Sequence, residues 1–145
     1  MISGVRAAAG LSILMTLTAA HEAAAFVRIV VPEAPDMSAT VSLKGRAGIE
    51  RFYGPPNYGE TPDQDRQESA TILDLEEDIC VLPEDGSSCD GEDMQASVQM
   101  VISTSVEENI KAGECVVADG PLFRAFTGHH RRPVLMQVMT LHPCS

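Results

Sequence analysis

Apolar and polar positions alternate along several short runs, and that two-residue period predicts strands. In "ATVSLKGRAGIERF" (39–52), Val41 and Leu43 alternate with polar neighbours before glycines at 45 and 48. This pattern predicts a long strand bent or bulged at its glycines. Before it, "FVRIVVPEAPDM" (26–37) is apolar and then proline-punctuated, which predicts a leader strand or arm. After it, "YGPPNYGETPDQDRQES" (53–69) carries paired prolines, glycines and charge and is expected to be a loop. "ATILDLEEDICVL" (70–82) predicts a strand that buries Ile72, a turn around Glu76 to Asp78, and a short strand through Cys80. "MQASVQMVIS" (94–103) predicts a further strand, and "CVVADGPLF" (115–123) and "PVLMQVMTL" (133–141) the final two.

One segment follows a helical rule instead. In "TSVEENIKAG" (104–113), Thr104 and Glu107 make a capping box, and Val106 and Ile110 share a face. Gly113 stands where a left-handed stop belongs. The predicted order is strand, long loop, strand pair, strand, short helix, strand pair. A five-stranded Greek-key barrel of the OB type has that layout, with its helix between strands three and four. A small β-sandwich is the alternative.

The N-terminus changes the picture. Arg6, the apolar run Ala7 to Ala20 and the small residues Ala23 to Ala25 read as a secretory signal over residues 1–25. The apolar run is shorter than the roughly 20 residues that span a bilayer. The expected organisation is therefore a signal peptide (1–25), an N-terminal arm (26–38) and one OB-like β domain (39–145), placing the mature chain in the periplasm or outside the cell. Four cysteines, none in a C-x-x-C pair, then favour two disulfides over metal ligation. Cys80 and Cys89 flank a turn-rich stretch. Cys115 and Cys144 lie at the outer ends of the last two runs, where an antiparallel hairpin would join them; the other connectivities stay open.

The net charge of −11, with no tryptophan, argues against nucleic-acid binding. Acidic residues between Asp74 and Asp93 read as a solvated face, and "EDGSSCDGED" lacks the ligand spacing of an EF-hand loop. Catalytic signatures such as G-x-S-x-G or H-E-x-x-H are missing, so a non-enzymatic role without a cofactor is expected and a secreted hydrolase is the remote alternative.

Two stretches remain as candidate binding elements. In "GPLFRAFTGHHRRPVL" (120–135), Arg124, His129, His130, Arg131 and Arg132 form the compact basic patch of an acidic chain. Guanidinium forks suit carboxylate or phosphate groups. His129 and His130 are weak metal candidates, because neighbours on a strand point to opposite faces and adjacent arginines repel a cation. In the loop, Tyr53, Pro55, Pro56, Asn57 and Tyr58 are candidates for a rigid aromatic contact surface.

These stretches, with "TILDLEEDICV", resemble the small exported bacterial proteins of the domain-of-unknown-function 4431 family. There a "GPPNY" loop follows the first strand and a "G-x-L-F…TGHH…PVLL" hairpin closes the domain. The matching positions are Gly54, Pro55, Pro56, Asn57 and Tyr58, then Gly120, Leu122, Phe123, Thr127, Gly128, His129 and His130. Members carry more histidine around the hairpin, where Arg124, Phe126 and Arg131 stand here. The resemblance implies export and a single OB-like domain. The expected function is binding of a protein or envelope partner through the two stretches, with small-anion or metal-ion binding at the hairpin as the alternative.

Overall fold

The computed structural model describes residues 27–32, 34–82, 91, 93–103 and 110–145. Within them the fold is β throughout: β1 (Val27–Val30), β2 (Thr40–Tyr53), β3 (Gln67–Leu82), β4 (Met94–Val101), β5 (Cys115–Arg124), β6 (Val134–Gln137) and β7 (Thr140–Pro143). All seven belong to one sheet. The pairings run from β3 to β2, β5, β6 and β4 and return to β3; β1 adds to β3 and β7 to β5. Most of these pairs are antiparallel, but β4–β6 and β1–β3 are parallel. The predicted helix falls mostly on residues 104–109, outside the described residues; Gly113 does adopt a positive φ of 80°.

The long strand β2 follows its sequence pattern. Leu43, Gly45 and Ala47 point inward while Ser42, Lys44 and Arg46 face solvent. At Gly45 the strand changes partners, pairing with Val116 of β5 on one side and Leu75 of β3 on the other. A Cβ there would collide with the Asp74 carbonyl, so the crossing requires glycine.

Two strand expectations need correction. No turn interrupts β3 at Glu76 to Asp78; the strand runs through. The acidic residues instead bulge outward, and the ladder to β4 jumps from Asp74↔Ser97 to Ile79↔Gln95. The last run is not one strand but two, β6 against Leu122–Arg124 and β7 against Val116–Asp119. The break lies opposite Gly120 and Pro121. Pro121 has no N–H to continue the ladder, and Gly120 is packed against the Gln137 carbonyl too closely for any Cβ. A disulfide between Cys115 and Cys144 closes the β5–β7 ladder, as expected from their placement. Cys80 is also disulfide-bonded, whereas Cys89 lies outside the described residues.

The core gathers inward residues of the ring strands, among them Leu73, Val98, Ala118 and Met136, each fully buried. The arm contributes as well. Val31 is 1% exposed and packs in the same cluster. Burial on that scale stabilises by about 1.5–3 kcal/mol. Arg124 holds the arm in place: its Nε donates to the Val31 carbonyl (3.2 Å) and its Nη2 to the Leu82 carbonyl (3.3 Å).

Candidate functional site

The loop between β2 and β3 is rigid for reasons local to its sequence. Asp65 accepts the backbone N–H of Asn57 on one carboxylate oxygen and that of Gly59 on the other, both at 2.7 Å. The Gly54 amide donates to the Arg66 carbonyl (2.7 Å) and the Arg66 amide to the Pro55 carbonyl (3.2 Å), closing the loop base around Pro55 and Pro56. Tyr58, held between the two Asp65 contacts, takes a φ of 51°, a left-handed conformation uncommon for a side chain of its size. Tyr53 and Tyr58 remain 40% and 48% exposed.

The tip between β5 and β6 is organised around His130. Its Nδ1 accepts the Phe126 backbone N–H at 3.0 Å, and its ring meets Phe126 edge-on with centroids 4.7 Å apart. Phe123 lies against it from below at 5.9 Å. Burial lowers the His130 pKa below its ordinary value, with the charge of His129 acting the same way. A neutral ring is what the accepted amide requires.

Loop and tip meet across Arg131 and Glu68. The Arg131 guanidinium stacks over Phe52 (4.9 Å to the centroid) and Tyr58 (5.8 Å), and its Nη2 donates to the Tyr53 carbonyl at 3.0 Å. Glu68 faces it at 3.6 Å and also bonds His129 Nδ1 at 2.9 Å. The register that pairs Phe52 with Glu68 across β2 and β3 brings this carboxylate to the loop. Gln99 secures the tip from β4, accepting the Arg131 amide (2.5 Å) and donating to the His129 carbonyl (3.4 Å). Beside it, Arg132 binds Glu50 at 2.6 Å and the Ser97 hydroxyl at 2.8 Å.

The glycines of the two stretches fit this junction. A Cβ at Gly54 would stand 2.5 Å from the Glu68 carboxyl carbon, and one at Gly128 would stand 3.1 Å from the Tyr58 hydroxyl. An open groove of about 470 Å³ runs along the junction, lined by Phe52, Gln67, Glu68, Gln99, His129 and Arg131 among others.

The candidate residues thus separate into two groups. Tyr53, Pro55, Pro56, Asn57, Tyr58, His129 and Arg131 come together around the groove or its loop, and Arg132 lies beside them on Glu50 and Ser97. Arg124 and His130 are drawn away, the first into holding the arm and the second into the aromatic base of the tip. His129 and His130 diverge to different partners. Among the described residues no cluster of three or more His, Cys, Asp or Glu side chains could hold a metal. Glu50, Asp65, Glu68 and Gln99 were not singled out from the sequence. They belong to no motif; the roles of Glu50, Glu68 and Gln99 follow from strand register, and that of Asp65 from the turn of its own loop.

Fold and junction together define a disulfide-stapled, mostly β domain in which two loops converge on one face. Residues 97–142 of this chain match the model of the family described as domain of unknown function (DUF4431), so the family resemblance seen in the sequence holds. The match includes the tip with His129, Arg131 and Arg132, while the "GPPNY" loop lies before it. No curated protein and no solved structure matches the chain.

Proposed function

We propose that this chain is an exported, non-enzymatic binding module of OB-like architecture, which contacts a protein or envelope component through the joined "GPPNY" and "TGHH" loops. The observation that carries the reading is the Arg131 junction, which turns two loops distant in sequence into one preorganised surface. Preorganisation favours binding because less loop entropy is lost when a partner docks. Tyr53, Tyr58 and, at the tip, Phe126 (67% exposed) offer the rigid aromatic anchors that protein interfaces use.

The OB-like assignment draws support from the order of pairing. With β2 as the first barrel strand, β2, β3, β4, β5 and β6 pair in the ring 1-2-3-5-4-1, with the third and fifth strands parallel. The two loops are then those between strands one and two and between four and five, the pair that OB folds use for ligands. Export to the periplasm or beyond is supported by the N-terminal sequence and is compatible with the Cys115–Cys144 disulfide. Anion binding at the arginines has less support, since Arg131 faces Glu68 and Arg132 is paired with Glu50.

A photo-cross-linking residue placed at Tyr58 or Phe126 in the secreting host tests the proposal. A discrete protein or envelope adduct should form from both positions and not from exposed Lys111. Equal labelling from all three positions, or none from the loops, would refute it. N-terminal sequencing of the exported form should read from about Phe26, the residue after the small-residue cleavage motif.

A further inference from the structure

At the other end of β2 the sheet is open among the described residues. Residues 45–53 of this strand pair with β3, but Thr40–Lys44 pair with β5 alone. β3 continues past this point and takes β1 as its neighbour instead, over Ile79 to Leu82. No ladder joins β1 to β2 among the described residues. The two strands therefore diverge around a cleft of about 370 Å³, lined by Val27, Leu43, Leu75, Ile79 and the side chains of Lys44, Glu76 and Glu77.

We propose that this cleft takes an extended segment of a partner protein, added as a strand along Thr40–Lys44 and alternating apolar with basic side chains. An unpaired strand edge presents a row of backbone donors and acceptors that an extended chain can complete. Alternate residues of an added strand face the cleft floor, where Leu75, Ile79 and the 54%-exposed Val27 supply apolar contact. The intervening residues lie along the rim with Glu76 and Glu77. Lys44 neutralises Glu76 at 2.6 Å, and Glu77 takes part in none of the ion pairs among the described residues. Asp74 is offset by Arg46, its partner across the β2–β3 ladder, so Glu77, the neighbouring Asp78 and the net charge of −11 set the negative potential there. A basic segment fits this rim and an acidic one is repelled. This surface lies at the end of β2 remote from Tyr53, so it stands or falls independently of the loop face.

The test uses the mature protein and a synthetic peptide of about eight residues alternating lysine and valine, a length matched to a short strand. Amide exchange and backbone shifts are read by NMR. The peptide should slow exchange at least tenfold at alternate amides of Thr40–Lys44. A glutamate–valine peptide and a backbone N-methylated lysine–valine peptide should fail to do so. Glu77→Lys, an exposed change that leaves the fold intact by urea unfolding, should weaken binding at least tenfold. Unchanged exchange at Thr40–Lys44, equal binding of the N-methylated peptide, full affinity in Glu77→Lys, or effects confined to the Tyr58–Arg131 groove would each overturn the proposal.

Discussion

Replacing Arg131 with methionine keeps an apolar stem and removes the guanidinium that joins the two loops. Its side chain is 16% exposed, so its contacts are only partly screened. The hydrogen bond to the Tyr53 carbonyl is charge-assisted and contributes about 1.5–3 kcal/mol. The ring contacts with Phe52 and Tyr58 add about 0.5–1 kcal/mol each. The pair with partly exposed Glu68 adds between about 0 and 1 kcal/mol. Because methionine retains some of the packing, the net loss should be about 2–4 kcal/mol, within the range of lost buried networks. A double-mutant cycle with Tyr58→Leu isolates the bond between loops, and the coupling should be about 0.5–1 kcal/mol. Urea unfolding of the four proteins reads both quantities. A loss in Arg131→Met below about 1 kcal/mol, or a coupling indistinguishable from zero, would refute the claim that Arg131 joins the loops.

Three other outcomes follow from the same structure. Cys115→Ser/Cys144→Ser opens a closure spanning 29 residues and should cost about 3.5 kcal/mol, measured by urea unfolding in oxidising buffer. Gly120→Ala drives a Cβ into the Gln137 carbonyl, and calorimetry should show a loss of about 1–3 kcal/mol or more. The depressed pKa of His130 means that the unfolded chain takes up its proton first as pH falls. Its share of stability is complete above the unfolded value of 6.5 and is lost progressively between that value and the lower folded one. His130→Gln should flatten that part of the stability–pH profile; an unchanged slope in this window would contradict a His130 pKa lowered by burial.

Much of the ladder was legible because local chemistry and fold agree. Val41, Leu43 and the glycines of β2 declared a bent strand, and Gly45 proved to be the residue at which β2 changes neighbours. The placement of Cys115 and Cys144 at matching ends of a hairpin likewise survived in the structure. Three features were hidden because they depend on partners far along the chain. Glu76 to Asp78 look like a turn by composition, yet their neighbours on both sides are paired in one strand, so the charges bulge instead. Nothing in "PVLMQVMTL" announces a break; the break is imposed from across the ladder by Pro121. Nor does "FVRIVV" reveal that Val27 to Val30 pair in parallel with residues far along the chain, Val27 with Ile79.

The site was half legible for a similar reason. Tyr58, His129, Arg131 and Arg132 stood out by type and clustering, but the groups that position them did not. Glu68 reads as one more acid in a charged loop until the β2–β3 register sets it beside Phe52. Gln99 sits in an ordinary strand pattern and is 8% exposed, satisfying two backbone groups of the tip that no motif would assign to it. The arginine patch, inviting to anions when read linearly, is largely neutralised by Glu50 and Glu68.

The central claim is that one binding face is assembled from two loops by Arg131. It is tested most directly by the affinity of the cross-linked partner, once purified, for wild type, Tyr58→Ala and Arg131→Met. The account predicts a loss of at least tenfold for both variants, because Tyr58 touches the partner and the mostly covered Arg131 holds Tyr58 in place. Wild-type affinity in Arg131→Met, beside a clear loss in Tyr58→Ala, would contradict it.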